Sequence, residues 1–333
     1  MFLGVAIGDA LYRPVETYTA EQIRKKYGWL TTYVSPENHK WFKDLTPGKW
    51  TDDTQLTLLV ADSLIDQRAF HIWDLADRHV EYLKREGDLG FGKTTREAIQ
   101  RLSGGEHWSR SGITDKPGLG LGNGLPMKIA PLAAFSLSPY FRKWSYHSVL
   151  FDTNLRDFTL MTHYTWIAVE STMAHIRMLQ LCLDDDNWKS DYNFPETIVS
   201  AMRPPSEQER KLVPYGAGDD LKLAISSLNQ LDSHSGAKDF IRLYGAGSAY
   251  VYHTLPFCYA FFLKNPTSIN TLYEVGNAGG DTDTNASIVG GMLGALNGAS
   301  IFPPYLIDAL WQKERVIDTA NRFYDRLFSE EES

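Results

Sequence analysis

The chain has 333 residues, with 33 Lys and Arg against 41 Asp and Glu, a formal net charge of −8, 43% hydrophobic residues and 22% charged ones. This balance excludes a wholly disordered chain and supports a large buried core. It also argues against a protein that binds nucleic acid by neutralising phosphates, although an anionic small molecule can still be held by backbone N–H groups. Two cysteines, Cys182 and Cys258, are too few for a disulfide framework or a Cys-rich zinc site. The start, Met1 to Asp9, has no basic leader, and no apolar run approaches about 18 residues. A cytoplasmic protein without a membrane segment is expected.

In chain order, the first feature is Gly8-Asp9-Ala10-Leu11-Tyr12-Arg13-Pro14-Val15-Glu16. Asp9 lies in a small-residue helix, where it can cap or pair locally. Glu16 reads by itself as an exposed helix end. Next comes Thr51-Asp52-Asp53-Thr54, with Thr51 a natural N-cap and both Asp residues in a first turn, where the helix dipole favours negative charge. Leu56, Leu59, Val60 and Leu64 then fall at helical spacing, as do Ile72, Leu75, Ala76, His79, Val80 and Leu83. Residues 103–124 read as a Gly- and Ser-rich loop, 157–181 as one long periodic segment, and 184–220 as a polar connection. The triplet Asp184-Asp185-Asp186 reads as solvated, because like charges this close repel. Helical spacing returns at Leu221, Ala224, Ile225, Leu228 and Leu231, and again at Val316, Ala320, Phe323 and Leu327. These read as amphipathic helices with one buried stripe each. With no strand alternation, the expected class is all-α, as one compact domain over residues 1–333. A boundary near 190–210 has only weak support.

The second acidic motif is Gly279-Gly280-Asp281-Thr282-Asp283-Thr284, followed by a Gly- and Ala-rich helix able to approach its neighbours closely. In an extended stretch Asp281 and Asp283 point the same way. Each Asp pair alone reads as helix capping. Together they read differently. If the pairs meet, four carboxylates share one site, and only a cation relieves their repulsion. Carboxylate and hydroxyl oxygens suit Mg²⁺, Mn²⁺ or Ca²⁺, and four Asp suggest two ions. If Asp283 is a ligand, Asp283→Asn removes a repelling charge, so the metal-free variant is expected to melt no lower than wild type.

In ordered motifs from Gly4 to about Pro304, the chain resembles the ADP-ribosylglycohydrolase family. The matching segments are Gly4 to Leu11 with Glu16, Thr51-Asp52-Asp53-Thr54, Gly122-Asn123-Gly124 with Met127 and Ala130-Pro131-Leu132, Thr162-His163, and Gly279 to Thr284. The resemblance implies an all-α fold with two divalent cations, Mg²⁺ or Mn²⁺, held by Thr51, Asp52, Asp53, Asp281, Asp283 and Thr284. It implies hydrolysis of the bond between ADP-ribose and an acceptor, most typically arginine on a protein. Glu16, Asp52 and Asp53 become candidates for water activation and proton transfer. Asp88 resembles a carboxylate near the ribose or acceptor. Gly122, Asn123, Gly124, Met127 and His163 become candidate substrate contacts, with the glycines offering backbone N–H groups to the diphosphate. The expected partner is an ADP-ribosylated protein or small conjugate, and the expected state is a monomer. Leu125, Lys128 and Tyr12 depart from the family pattern, which bears on diphosphate contacts and acceptor choice.

Two rival readings fail on the residues themselves. Gly87 to Thr94 satisfies the P-loop pattern. However, a helix pattern precedes it where a strand is required, Asp88 puts negative charge in the loop, and no second NTPase motif follows. Lys93 therefore reads as solvated. A non-catalytic relative is disfavoured, because Asp52, Asp53, Asp281 and Asp283 all remain.

Overall fold

The computed structural model describes residues 1–36, 46–116, 118–143, 145–184, 193–216, 218–232 and 234–329, with the backbone alone for 145–149. The described residues are helical as expected, with no sheet. Two isolated antiparallel pairs, Thr19 with Gly279 and Gly122 with Tyr250, tie loops together. One continuous apolar cluster runs from Phe2 to Leu327. No helix among the described residues is long and apolar enough to cross a membrane. Asp185 and Asp186 lie outside the described residues.

Three helices form the centre: Phe2–Tyr12, Asp52–Gln67 and Thr282–Asn297. The single-stripe expectation fails for Asp52–Gln67, which buries Thr54, Gln55, Thr57 and Ser63 along with its leucines. A helix surrounded by others hides every face. The expectation holds at the periphery. Ile72–Glu86 buries Ile72, Leu75, Ala76, His79 and Tyr82, and Lys313–Leu327 buries Val316, Phe323 and Leu327.

Three connections differ from the sequence reading. The 157–181 segment is two helices, Ser145–Thr162 and Trp166–Leu183. Thr165 caps the second by accepting from Ala168 N and also donates to Gly120 O at 2.5 Å. The Trp166 and Ile167 amides go to Pro214 and Tyr215 carbonyls. The polar 184–220 stretch contains Phe194–Ala201 and Glu207–Leu212, the latter started by a Ser206–Glu209 capping box. The 221–231 helix is Gly218–Ser226, tightening to a 3₁₀ turn at Ser227–Gln230.

Among the described residues, Phe2–Tyr12 and Thr282–Asn297 make the most extensive helix contact, and glycine permits it. A Cβ on Gly4 would lie 1.9 Å from Gly290 O, on Gly8 2.1 Å from Ala286 O, and on Gly290 2.1 Å from Gly4 O. The two backbones touch with no side chain between them. Tyr12 fits by a similar exchange. Its ring packs where a Cβ on Gly276 would sit, at 2.3 Å, and its hydroxyl donates to Leu30 O at 2.9 Å.

Overpacking a close-packed contact typically costs about 1–3 kcal/mol, and more where backbone opposes backbone. Gly290→Ala should therefore lower unfolding free energy by at least about 1 kcal/mol on this scale, read by urea denaturation. Gly92→Ala is the control, since a Cβ there meets nothing within 4 Å and the backbone has a negative φ.

Candidate metal centre and active-site cleft

The close contact sets the C-terminal end of the Phe2 helix beside the N-terminal end of the Thr282 helix. The connecting backbone is pinned by Thr17 N donating to Gly280 O at 2.9 Å and Gly280 N to Tyr18 O at 3.0 Å. Gly279 and Gly280 both have φ near +90°, a conformation that L side chains rarely adopt. Asp281 and Asp283 occupy the N-cap and first turn of the helix rather than an extended stretch. They still converge. Oxygens of Glu16, Asp281 and Asp283 lie within 4.8 Å of one another.

Asp9 supplies the third side. Its carboxylate accepts from Thr51 N (2.8 Å), Thr51 Oγ1 (2.6 Å), Thr54 N (3.1 Å) and Thr54 Oγ1 (2.6 Å). Thr51 stands at the N-cap position but makes no side-chain cap bond. Its hydroxyl donates to Asp9, and Asp9 caps the helix from a different one. Asp52 and Asp53 are thereby relieved of capping and left to face the cluster.

The carboxylates differ in their surroundings. Asp53 is 1% exposed, Thr284 Oγ1 reaches its Oδ2 at 3.4 Å, and its Oδ1 is buried without a hydrogen-bond partner. Asp281 Oδ2 accepts from Asn123 Nδ2 at 2.6 Å. Asp283 accepts from Thr284 N at 2.9 Å and pairs with Arg13. Arg13 also pairs with Glu16 at 3.0 Å, and its side chain is 7% exposed. Burial, then repulsion from Asp9 and Asp283, pushes the Asp53 carboxyl far above its usual range. Burial, then Asp283, raises Asp281 as well. Burial pushes Asp52 up to about 7, with Arg13 opposing and Asp283 adding. Burial and Asp283 likewise push Glu16 up to about 8 against the pull of Arg13. For Asp283, burial works against ionisation, but Arg13 and the hydrogen bonds from Asp281 and the Thr284 amide together outweigh it, leaving the group below its usual range.

An orphaned buried carboxylate oxygen among mutually repelling carboxyls is the environment a hard divalent cation relieves. The donor set of Thr51, Asp52, Asp53, Asp281, Asp283 and Thr284 fits such an ion.

A cleft of about 270 Å³ opens above this floor. Arg13, Asp52, Asp281 and Thr284 line its base, and Gly122, Asn123, Gly124, Met127 and His163 its wall. A larger hollow of about 660 Å³, bordered by Trp108 and Trp166, lies elsewhere. Its Arg156 and Arg203 both pair with Glu209, and no cluster of three or more metal-ligating side chains is found there among the described residues. The smaller cleft is therefore the candidate site.

Several expected contacts take different roles. The Asn123 amide N–H is committed to Ala249 O at 3.0 Å and its side chain holds Asp281 and Thr254. Only the flanking Gly122 and Gly124 amides remain for a phosphate. A Cβ on Gly124 would meet the His163 ring at 2.8 Å, so this glycine makes room for histidine. His163 is 2% exposed, contacts Thr162 Oγ1 at 2.9 Å, and burial holds its pKa down at about 3, so the ring is neutral. Asp88 lies outside the cleft lining. It accepts from Gly90 N and Phe91 N and pairs with Arg96, shaping the turn rather than offering a carboxylate to substrate. Lys93 is exposed as expected, but at the cleft rim, where it opens the helix Lys93–Ser103; a helix, Ile72–Glu86, precedes it rather than a strand. Lys128 is fully buried, 3.5 Å from His79 and over the Phe158 ring, and burial pushes it down to about 7.

The sequence reading assigned no role to Arg13, and none to Thr95 or Tyr250 in the lining. For Arg13 a signal existed. It is an ionic residue three positions before Glu16, immediately after a helix that is otherwise apolar apart from Asp9.

Comparison with known proteins bears on family and fold. The family model described as ADP-ribosylglycohydrolase matches residues 1–332. The chain is 24% identical to the ADP-ribosyl-[dinitrogen reductase] glycohydrolase of Rhodospirillum rubrum, covering 91% of this chain and 86% of that one. It is 25% identical to an ADP-ribosylarginine hydrolase of Pseudomonas putida, covering 97% and 76%. A solved structure titled ADP-ribosylglycohydrolase-related protein complex superposes with a TM-score of 0.68 at 23% identity, over 98% of this chain and 95% of that one. This chain belongs to the ADP-ribosylglycohydrolase family.

The Arg13–Asp283 pair reverses the expectation for Asp283→Asn. In chelator this variant should melt below wild type, because breaking a buried pair from one side costs roughly 3–5 kcal/mol. Asp53→Asn should melt at or above wild type. The folded-state pKa of Asp53 is raised, so its ionisation opposes folding increasingly as pH rises above about 4. The advantage of the Asn variant should grow over the same range. Paired melting curves in EDTA between pH 5 and 8 check both; the reverse order would remove Arg13 from its assigned place.

Proposed function

We propose that this family member removes ADP-ribose from arginine side chains of modified proteins, with a divalent cation, Mg²⁺ or Mn²⁺, at the carboxylate cluster. The observation that carries the reading is the buried cluster of Asp52, Asp53, Asp281 and Asp283, of which Asp52 and Asp281 line the cleft and Asp53 has an oxygen without a partner. The names of the Rhodospirillum and Pseudomonas relatives support the substrate class.

A bound divalent ion would supply Lewis acidity and a water of lowered pKa. The chain's own groups do the rest. Asp52 faces the cleft and takes the proton of the attacking water. The water oxygen bonds to C1″ of the ribose as the C1″–N bond to the guanidino group breaks. Glu16, half-buried beside Arg13, returns a proton to the departing nitrogen. Carboxylates around the ribose stabilise the oxocarbenium-like charge that builds at C1″. The diphosphate lies between the Gly122–Gly124 loop and the first turn of Lys93–Ser103. The amides of that first turn have no partner within the helix, and its positive end attracts anions. Tyr250, 43% exposed at the rim and stacked on Tyr252, offers an aromatic edge for the nucleoside. Neutral His163 packs under the loop and fixes its height.

The test is release of ADP-ribose from defined ADP-ribosyl-arginine and ADP-ribosyl-serine conjugates, with Mg²⁺, with Mn²⁺ and with EDTA. Release from the arginine conjugate should require metal. Asp52→Asn should reduce kcat by roughly 10²–10⁴-fold, the usual share of a general base. Undiminished release in excess chelator would overturn the metal-assisted reading, and preference for the serine conjugate would overturn the acceptor.

A further inference from the structure

The most compact set of metal-ligating oxygens among the described residues is Glu16, Asp281 and Asp283. Two of those three carboxylates are already paired with Arg13. The third neighbour of the guanidinium is Asp52. A Cβ on Gly90 would lie 2.5 Å from Arg13 Nη2 and 2.9 Å from Asp52 Oδ1, so both groups meet beneath that glycine. Gly90 has φ of +130° and no side chain, which lets the loop close over the pair. Arg13 is therefore a buried, permanently charged cation placed among three carboxylates. The same cluster holds the orphaned Asp53 Oδ1, with Thr284 Oγ1 on the other oxygen of that carboxylate. The guanidinium acts strongly on Asp52 and Asp283, whereas the charges that act most on Asp53 are all carboxylates.

We propose that Arg13 is a tethered cation that occupies one of the two positive positions of this cluster, so that the protein takes up one divalent ion, at Asp53 and Thr284, where four converging Asp residues would suggest two. The partners of Arg13 separate the two positions. A second ion at Glu16, Asp281 and Asp283 would have to displace a guanidinium held by two carboxylates. It would also have to leave that guanidinium buried with fewer partners, which is unfavourable for a charge with so little access to water. Arg13 keeps Asp283 and Glu16 oriented when no ion is bound. The cluster is then part-neutralised before metal arrives, and the first ion enters a preformed site. The inference rests on the hydrolase reading for the presence of an ion, and concerns only how many ions bind and where.

The test uses the full chain stripped with EDTA and dialysed free of chelator. Mn²⁺ is titrated calorimetrically and by electron paramagnetic resonance, and ADP-ribose release is assayed on the same samples. Wild type should bind one Mn²⁺, with no spin-coupled signal from an adjacent pair. Arg13→Gln opens the second position and should bind two. Its metal-free form should melt below wild type, and its Mn²⁺-induced rise in Tm should be at least twice as large. Arg13→Lys keeps a cation and should remain at one. Should Arg13→Gln fail to fold, the wild-type stoichiometry and spin signal still decide. Two tightly bound ions in wild type, or a stoichiometry unchanged in folded Arg13→Gln, would overturn the proposal while leaving metal-dependent hydrolysis standing. No bound ion, with release intact in chelator, would overturn both readings.

Discussion

The backbone of Gly4 lies against Gly290, and that of Gly8 against Ala286, with no side chain between the two helices. Any Cβ at those points would push the helices apart and move the end of the first relative to the start of the second. Those two ends carry the candidate site. Arg13 and Glu16 leave the first helix where Asp281 and Asp283 enter the other. The pair made by Arg13 with Asp283 spans 270 residues of sequence, and it exists because two glycine-bearing faces are in contact a few turns away. The small residues near Met1 and after Asn285 are thus determinants of a site to which they contribute no ligand.

Charge without water is the second constraint. Six carboxylates, those of Asp9, Glu16, Asp52, Asp53, Asp281 and Asp283, are buried or nearly so in one region. Their environments divide the work. Asp9 is held by two hydroxyls and two amides and acts as a structural cap. Asp283 has a guanidinium. Asp281 has Asn123. Asp53 has one long hydroxyl contact and an oxygen with none. A fold that keeps such a group has forgone stability at that point, as functional sites commonly do. The remaining helices offset it with a core that runs unbroken from Phe2 to Leu327.

The all-α class and the peripheral helices were legible because their apolar residues repeat at helical spacing, and that signal needs only local sequence. The two Asp motifs were legible because paired carboxylates beside hydroxyls are unusual at two separate helix starts. What local sequence could not reveal were contacts across the chain. Asp9 caps a helix that begins more than forty residues later, while the adjacent sequence points to Thr51 as the cap. Asn123 serves Asp281 rather than the ligand directly. The break at His163 comes from Thr165 reaching back to Gly120, while the hydrophobic period runs straight through it. Arg13 was passed over because nothing adjacent in sequence, apart from Glu16, shows what its charge answers.

The cleft itself has two parts with different physical character. Its floor, Asp52, Asp281 and Thr284, belongs to helices packed on several sides, and each of those helices is fixed by backbone contact or by the Asp9 cap. Its rim, Lys93, Gly118, Leu119 and Tyr250, lies on loops and on a helix start, with Lys93 and Tyr250 exposed. A change at the rim alters what can enter without disturbing the floor. A change at the floor moves groups whose separation is set by touching backbones and is felt across the centre of the fold. On the proposed function, bond cleavage would be tied to the rigid helix pair, and the choice of group attached to the ribose would fall to the loops. On this division, relatives that share the two Asp motifs can share a reaction and still differ in acceptor.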